Sequence, residues 1–341
     1  MTESKRNVRW GILSTAKIAT KVSRAIHLAN NAELVAVASR TEERAKSWAS
    51  EHSVGRAYGS YEALLEDESL DAIYLPTPPT MHAEWTIKAA EHGKHVLCEK
   101  PLAVSTEEAV TMADACRENR VQLMDGVMWV HNQRTAEMKG IIDSGALGKL
   151  RRVTAAFTIS WDKIPDNNIR AKKELAGGGI LMDQGIHLLD LFIMMGGEFE
   201  EAMAFISNLY WNLDVEDNVF AIFRNSKTGV CASLHSTMTQ WRYLFSLEVF
   251  LEGGALVLNG LKTSSGVYGS EDLAIKHNSQ EFQSGAYMSE ERLIYELDDS
   301  WEKEINAFFG AILNPDLPRI GNSSEAMKVM RLVDLVYQRP E

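Results

Sequence analysis

Residues 8–19 read VRWGILSTAKIA, an apolar run that passes directly into small and polar residues. The apolar run predicts a buried β-strand, followed by a tight turn into a helix. Loops that hold a dinucleotide need small residues at this turn, because backbone N–H groups and the helix N-terminus must approach the pyrophosphate closely. In the G-x-G-x-x-G/A template, Ser14, Ala16 and Ala19 take the three small-residue positions. Because two template glycines are absent, a tight turn in another kind of α/β protein is the alternative.

The first 125 residues repeat this strand-to-helix unit. Short β-rich runs occur at six places, residues 8–13, 33–39, 56–58, 71–75, 95–99 and 121–125. Between them lie amphipathic segments such as residues 42–52, 81–92 and 106–119, whose apolar residues recur at three- and four-residue steps. This alternation is typical of a doubly wound parallel sheet. We therefore expect an α/β Rossmann domain over residues 1–125.

Residues 126–341 have a different pattern. Longer runs with period-2 alternation occur at residues 153–159, 202–209, 218–223, 230–238, 245–251 and 255–258. Helical patterns occur at residues 135–144, 180–195, 301–312 and 324–338. We expect an α+β domain with a large, mostly antiparallel, open-faced sheet. The C-terminal helix is expected to pack back on the first domain.

The composition limits the class of partner. The 341 residues include 35 Lys and Arg against 47 Asp and Glu, a formal net charge of −12, with no basic block to neutralise phosphates. Cys98, Cys116 and Cys231 match no disulfide framework or zinc spacing. No run of about 18 apolar residues occurs. We expect a cytoplasmic protein that binds a small polar metabolite, with no nucleic-acid or membrane partner.

The end of the second predicted strand bears on cofactor choice. An NAD site normally carries Asp or Glu here for the ribose 2′-hydroxyl, whereas this chain has Ser39 and Arg40. A guanidinium can pair with a 2′-phosphate, so NADP(H) is favoured and NAD(H) is possible. The alternative is that Arg40 is a solvated surface charge and Glu42 or Glu43 folds back to the ribose.

Two further strand ends should face the same cleft, because open α/β sheets bind ligands at the carboxyl ends of their strands. The fourth strand ends in a Pro-stiffened loop, residues 76–82, and the fifth runs into Glu99, Lys100 and Pro101. Lys100 is a candidate acid/base group, since it lies at the end of a buried strand beside an acidic residue. An ordinary surface lysine is the alternative.

Residues 177–190 add an acid and an imidazole. Asp183 and His187 follow three glycines and are spaced i,i+4, which places them on one face of a regular helix. Such a pair can move a proton to or from a substrate hydroxyl. The alternative is that Asp183 caps the helix and His187 is a satisfied core residue. No ligand with suitable spacing joins them, so we expect no metal.

Together these segments resemble the glucose-fructose oxidoreductase / inositol dehydrogenase / rhizopine-catabolism (Gfo/Idh/MocA) family of nicotinamide-dependent oxidoreductases. The resemblance covers essentially the whole chain, in the right order, including the Glu-Lys-Pro segment and the glycine run with Asp183 and His187. It implies that Lys100 is the catalytic lysine, that Asp183 orients the substrate and that His187 transfers the proton. It also implies a cis bond before Pro101 and a homodimer or homotetramer formed through the open face of the second sheet. The residues expected to bind the cofactor are Ser14, Thr15, Ala16, Lys17, Ile18, Ser39, Arg40, Thr77, Pro78, His82, Glu99 and Lys100.

The family implies hydride transfer between nicotinamide and a carbohydrate-type substrate, that is, a sugar, cyclitol, dihydrodiol or keto-sugar. Ser14 and Ala16 depart from the usual glycines, and Pro79 stands where an Asn is common. Residues that could line a sugar site are Trp161, Trp241, Tyr243, Arg170 and Arg242. Two alternatives stay open: a glycosidase or lyase with tightly bound, redox-cycling NAD, and a non-catalytic dinucleotide-sensing protein.

Overall fold

The computed structural model describes residues 7–160, 168–260, 271–278, 290–295, 298–315 and 321–338. Contacts between Cα atoms divide the chain into two compact units. Unit 1 comprises Met1–His131 and Asp299–Met330, and unit 2 comprises Asn132–Asp298 and Arg331–Glu341. Each unit is therefore built around one main segment and one later piece of the chain.

Unit 1 contains a six-stranded parallel sheet. Its strands are β1 (Val8–Leu13), β2 (Ala32–Ala38), β3 (Arg56–Tyr58), β4 (Ala72–Leu75), β5 (His95–Glu99) and β6 (Leu123–Gly126). Their order in the sheet is β3-β2-β1-β4-β5-β6. This is the Rossmann order. Strands β2 and β3 are added on one side of β1 and strands β4 to β6 on the other, so the order of addition reverses between β1 and β4. The predicted doubly wound sheet is confirmed, with each strand starting and ending within two residues of its predicted bounds.

The helices of unit 1 are α1 (Ala19–Leu28), α2 (Glu42–Glu51), α3 (Tyr61–Leu65), α4 (His82–Glu91), α5 (Thr106–Glu118) and α9 (Ser300–Leu313). Helix α9 comes from the far end of the chain, yet its apolar face lies in the core of this unit. The ring centroids of Trp10 on β1 and Phe308 on α9 are 5.1 Å apart, and both side chains are fully buried. The Rossmann core is therefore completed by a helix distant in sequence.

Unit 2 contains an eight-stranded sheet. Its strands are β7 (Leu150–Ser160), β8 (Glu201–Ser207), β9 (Asn218–Arg224), β10 (Cys231–Thr237), β11 (Thr239–Leu251), β12 (Gly254–Asn259), β13 (Asp272–His277) and β14 (Glu291–Ile294). They are ordered β14-β13-β12-β11-β7-β10-β9-β8, and every neighbouring pair is antiparallel except β7 with β10. The predicted, mostly antiparallel sheet is confirmed. Strands β13 and β14 extend it beyond the predicted set.

The helices of unit 2 are α6 (Gln133–Ser144), α7 (Lys173–Ala176) and α8 (Ile186–Gly196), together with the end of α10 (Ser323–Tyr337). A single π-helical turn, Leu181–Gly185, leads into α8. Residues Lys173–Gly196 are long and apolar enough to cross a bilayer by length and composition, although polar residues interrupt their apolar runs. However, 83% of their most apolar window is buried inside the protein, which is the environment of a core helix.

Candidate active site

The loop after β1 has a glycine-like backbone conformation at its first template position. Ser14 has a φ of +139°, in a region where glycine is the favoured residue. The Ala19 N–H donates to the Ala16 carbonyl oxygen at 2.9 Å, which closes the first turn of α1. Lys17 is exposed and Ile18 is half-buried at the helix start. The chain thus keeps the glycine-like geometry of the first template position although the residue is serine.

Two residues near the end of β2 contact this loop, one of them through a guanidinium group. Arg40 is exposed, and Ser39 is buried with its Oγ 3.3 Å from Thr15 Oγ1. Arg44, which sequence reasoning missed, donates from Nε to the same Thr15 oxygen at 2.9 Å. It was missed because it lies one turn into α2 rather than at the strand end, where the ribose-binding residue is sought.

The carboxylates near the end of β2 are Glu42 and Glu43. Their placement differs from the alternative in which one of them folds back to the ribose. Glu42 Oε1 forms an ion pair with Lys46 Nζ at 2.6 Å along α2, and both side chains are exposed. Glu43 is also exposed. The side chain that contacts the loop after β1 from α2 is therefore the basic Arg44.

The loops after β4 and β5 are joined by His82. Its ring is fully buried, with Nε2 2.9 Å from the Thr77 carbonyl oxygen and Nδ1 2.9 Å from the Pro101 carbonyl oxygen. Burial lowers the pKa of His82. The side chain thus lies between two protein carbonyls, and it ties the two loops together. Pro78, which precedes a single 3₁₀ turn, Pro79–Met81, lies within the first of these loops.

The Thr77 side chain, in the loop after β4, indicates whether a cofactor fits at this end of the sheet. Its Oγ1 is buried and has no hydrogen-bond partner among the described residues. Buried hydroxyls are normally satisfied, so an orphaned one at the carboxyl end of a Rossmann strand marks a place where a ligand supplies the missing partner. Together with the glycine-like Ser14, Thr77 fits a bound dinucleotide.

Lys100 lies at the end of β5, and its peptide bond to Pro101 is cis, as the family resemblance implies. The Lys100 side chain is half-buried. Its backbone N–H donates to Glu99 Oε2 at 3.2 Å, and the other carboxylate oxygen of Glu99 accepts from the Tyr74 hydroxyl at 2.6 Å. The acidic neighbour expected from sequence is therefore a buried, hydrogen-bonded group.

Two further carboxyl groups lie near Glu99, and sequence reasoning missed both. Burial, with the negative charge of Glu99 in addition, raises the pKa of Asp125 at the end of β6 to about 8. Burial, Glu99 and Asp125 raise the pKa of Glu304 on α9 well above its usual range. Both Glu304 carboxyl oxygens lack a hydrogen-bond partner among the described residues. The only sequence signal for Glu304 is its phase, since it shares the buried side of α9 with Ile305 and Phe308.

In unit 2, the expectation that Asp183 and His187 sit i,i+4 on one regular helix is wrong. Asp183 lies within the π-helical turn, whereas His187 is the second residue of α8. A π-turn adds a residue to the repeat, so it changes the angular relation that 3.6-residue spacing gives. Asp183 Oδ1 is 3.3 Å from Arg170 Nε, and its side chain is 12% exposed. His187 is buried.

The other residues suggested for a sugar site, where the structure describes them, have exposed side chains. Trp241 and Tyr243 lie at the exposed start of β11, where Trp241 packs on Tyr210 with ring centroids 4.9 Å apart. Arg170 contacts Asp183, and Arg242 is exposed. Trp161 lies outside the described residues. Among the described residues, no group of three or more His, Cys, Asp or Glu side chains is placed to hold a metal ion.

Comparison with known proteins identifies the family to which this architecture belongs. Residues 8–127 match the oxidoreductase family with an NAD-binding Rossmann fold, GFO_IDH_MocA, and residues 135–257 match the GFO/IDH/MocA C-terminal domain. The chain belongs to the Gfo/Idh/MocA family. One relative is D-xylose 1-dehydrogenase (NADP(+)) 2 of Haloferax volcanii, 31% identical over 97% of each chain. Another is the dTDP-3,4-didehydro-2,6-dideoxy-alpha-D-glucose 3-reductase of Actinomadura kijaniata, 29% identical over 96% of this chain and 94% of the relative.

Solved structures agree with the family assignment. The 3-ketoreductase KijD10 of Actinomadura kijaniata, in complex with NADP and TDP-benzene, has a TM-score of 0.81 and 28% identity, covering 98% of each chain. A levoglucosan dehydrogenase complex has a TM-score of 0.84 at 20% identity, which shows the shared fold. The expectation of an NAD(P)-dependent oxidoreductase with a carbohydrate-type substrate is confirmed, with NADP(H) favoured as cofactor. The redox-cycling glycosidase and the non-catalytic sensor receive no support from these relatives.

Proposed function

We propose that this Gfo/Idh/MocA protein uses NADP(H) to oxidise a CH–OH group of a sugar or to reduce the corresponding keto-sugar. The observation that carries the cofactor choice is the contact of Arg44 with Thr15, which places a guanidinium against the loop after β1. Arg40 and Arg44 would pair with the 2′-phosphate, and Thr77 Oγ1 would donate to or accept from the dinucleotide. Unit 1 would bind the cofactor and unit 2 the substrate.

Three side chains would carry the chemistry together with the cofactor. The nicotinamide cofactor, when bound, supplies the hydride chemistry. The Lys100 ammonium binds the substrate oxygen and stabilises the negative charge that develops on it. The His187 imidazole takes the proton from the substrate hydroxyl, and Asp183, oriented by Arg170, binds a neighbouring hydroxyl. In the reducing direction the proton returns from His187 to the carbonyl oxygen.

Fluorescence titration with NADPH and NADH, followed by an absorbance screen of sugars, cyclitols and dihydrodiols at the nicotinamide band, tests this function. Lys100→Ala and His187→Ala are each expected to reduce turnover by about two orders of magnitude, the usual contribution of a general acid/base group. Steady-state rates like those of the wild type in both variants would remove the assignment. Tight NADH binding without a response to NADPH would overturn the role of the two arginines.

We also propose that the protein is cytoplasmic and forms a homodimer or homotetramer through one face of the unit 2 sheet. That face carries exposed apolar side chains on β8 and β9, namely Met203 (69%), Phe205 (73%), Phe220 (49%) and Ile222 (57%). A contiguous apolar patch of this kind marks an interaction surface. Light scattering is expected to give a multimeric mass for the wild type and a smaller one for Phe205→Glu. A monomeric wild type would contradict the proposal.

A further inference from the structure

The glycine run that precedes Asp183 is bound by one distant carboxylate. Glu216, two residues before β9, is buried and accepts from the Gly179 N–H through Oε2 at 2.9 Å and from the Leu181 N–H through Oε1 at 3.0 Å. Its backbone oxygen accepts from the N–H of Ile180 at 3.0 Å. Three consecutive N–H groups at the start of a helical segment therefore all bind Glu216. These groups have no partner within a helix and must be satisfied from outside it.

Tyr337 completes the arrangement from the end of α10. Its hydroxyl donates to Glu216 Oε1 at 2.7 Å. A Cβ atom on Gly179 would lie 2.1 Å from the Glu216 carbonyl oxygen, and one on Gly178 would lie 2.2 Å from the Tyr337 hydroxyl oxygen. These glycines are thus required by close approach to the two residues that bind the turn.

The bound segment leads directly to the residues proposed for catalysis. Leu181 begins the π-helical turn that contains Asp183, and this turn continues into α8 with His187. Neither Ile180 nor Gly185, which precede the π-turn and α8, provides a side-chain cap. A carboxylate at this end also interacts favourably with the helix dipole. The segment that carries both groups is therefore anchored at its start by Glu216.

We propose that Glu216, supported by Tyr337, is a positioning residue that sets the placement of Asp183 and His187. The inference rests on the proposed function, because the π-turn affects catalysis only if Asp183 and His187 have the roles proposed above. Small displacements of a catalytic group, of about 1 Å, lower rates by up to about a hundredfold. Loss of the carboxylate should therefore reduce turnover far more than it reduces cofactor affinity.

The neighbouring residue provides a matched control. Asp217 is fully buried and also accepts three backbone N–H groups, from Leu209 and Tyr210 at 2.8 Å and from Trp211 at 3.1 Å. It thus carries a comparable set of hydrogen bonds on the same stretch of chain, but they hold residues 209–211 rather than the π-turn. Asp217→Asn reports what the loss of a buried, backbone-binding carboxylate does to stability alone.

The experiment compares Glu216→Gln, Tyr337→Phe and Asp217→Asn with the wild type. In Glu216→Gln we expect kcat to fall by about tenfold or more, while the NADPH dissociation constant stays within about twofold. Tyr337→Phe, which removes one hydrogen bond and keeps the carboxylate, should lower kcat by about threefold and serves if Glu216→Gln does not fold. Asp217→Asn should keep kcat within about twofold at a similar loss of melting temperature.

Amide hydrogen exchange supplies a readout besides activity. Exchange at residues 179–181 should accelerate in Glu216→Gln and not in Asp217→Asn, where residues 209–211 respond instead. An unchanged kcat in Glu216→Gln, or an equal loss of kcat in Asp217→Asn, would overturn the positioning role while leaving the function intact. A wild type without sugar-dependent turnover would instead overturn the proposed function, and the positioning role with it.

Discussion

Replacing Asp125 by Asn is expected to remove a loss of stability that the wild type suffers as pH rises. Asp125 lies at the end of β6, 4% exposed, and one of its carboxyl oxygens has no hydrogen-bond partner among the described residues. Burial, with the nearby Glu99 charge, raises its pKa from 3.8 to about 8. The native protein therefore keeps a proton on Asp125 at pH values where the unfolded chain has released it.

The size of the effect follows from the two pKa values. Below a pH of about 4 both states hold the proton, so the full contribution of the group to stability is present there. Between the unfolded pKa of 3.8 and the folded pKa of about 8, each pH unit removes about 1.4 kcal/mol of unfolding free energy. From about pH 5 to about pH 7 the loss is about 3 kcal/mol. At about 2 °C per kcal/mol this corresponds to about 6 °C in Tm.

Calorimetric melting of wild type and Asp125→Asn without cofactor, at about pH 5, 6 and 7, measures this loss. The Tm difference between the variant and the wild type should grow in favour of the variant across the series. Asp67→Asn is the control: burial opposes ionisation of Asp67, but hydrogen bonds from Ser69 and Tyr58 and the charge of Arg56 outweigh it and lower its pKa. Its contribution is fully present above a pH of about 4, so Asp67→Asn should lower Tm equally at all three values. Parallel pH profiles for Asp125→Asn and the wild type would refute the reasoning.

Two other substitutions follow from the geometry of unit 1. Ser14→Gly should raise the free energy of unfolding by about 1 kcal/mol in urea denaturation, because glycine adopts the φ of +139° without a steric penalty, and an unchanged midpoint would argue against strain at this residue. Arg44→Ala should weaken NADPH binding by about tenfold and leave NADH binding within about twofold, because only NADPH carries the 2′-phosphate. Equal weakening of both cofactors in fluorescence titrations would contradict this role, and exposed Arg24 on α1 is a suitable control substitution.

The regular elements were predictable from sequence because their apolar residues repeat with a clear period. Strands β1 to β6 fall within two residues of their predicted bounds, since they are short, mostly buried and flanked by amphipathic helices. Strand β14 was missed because it lies at the sheet edge and has mostly exposed side chains. Strand β11 starts six residues before its predicted start, where its side chains are also largely exposed.

The candidate site was harder to predict because much of it depends on distant contacts. The π-turn under Asp183 leaves no mark on the hydrophobic period, and the carboxylate that caps it is Glu216, which lies 37 residues after Gly179. Glu304 comes from a helix near the end of the chain, so Glu99 and Asp125 raise its pKa only after folding. The local sequence pattern was therefore sufficient to predict the strand ends. The charged groups around Lys100 could be identified only from the tertiary structure.

The placement of α9 has a consequence for how the protein is made. Trp10 leaves the ribosome before its partner Phe308, which emerges only after the whole of the intervening β-rich segment has been synthesised. Until α9 has been synthesised, the hydrophobic core on one side of the first sheet therefore lacks its packing partner. A gene fragment that stops at His131 would encode every strand of the Rossmann sheet and still lack the helix that shields Trp10 from water.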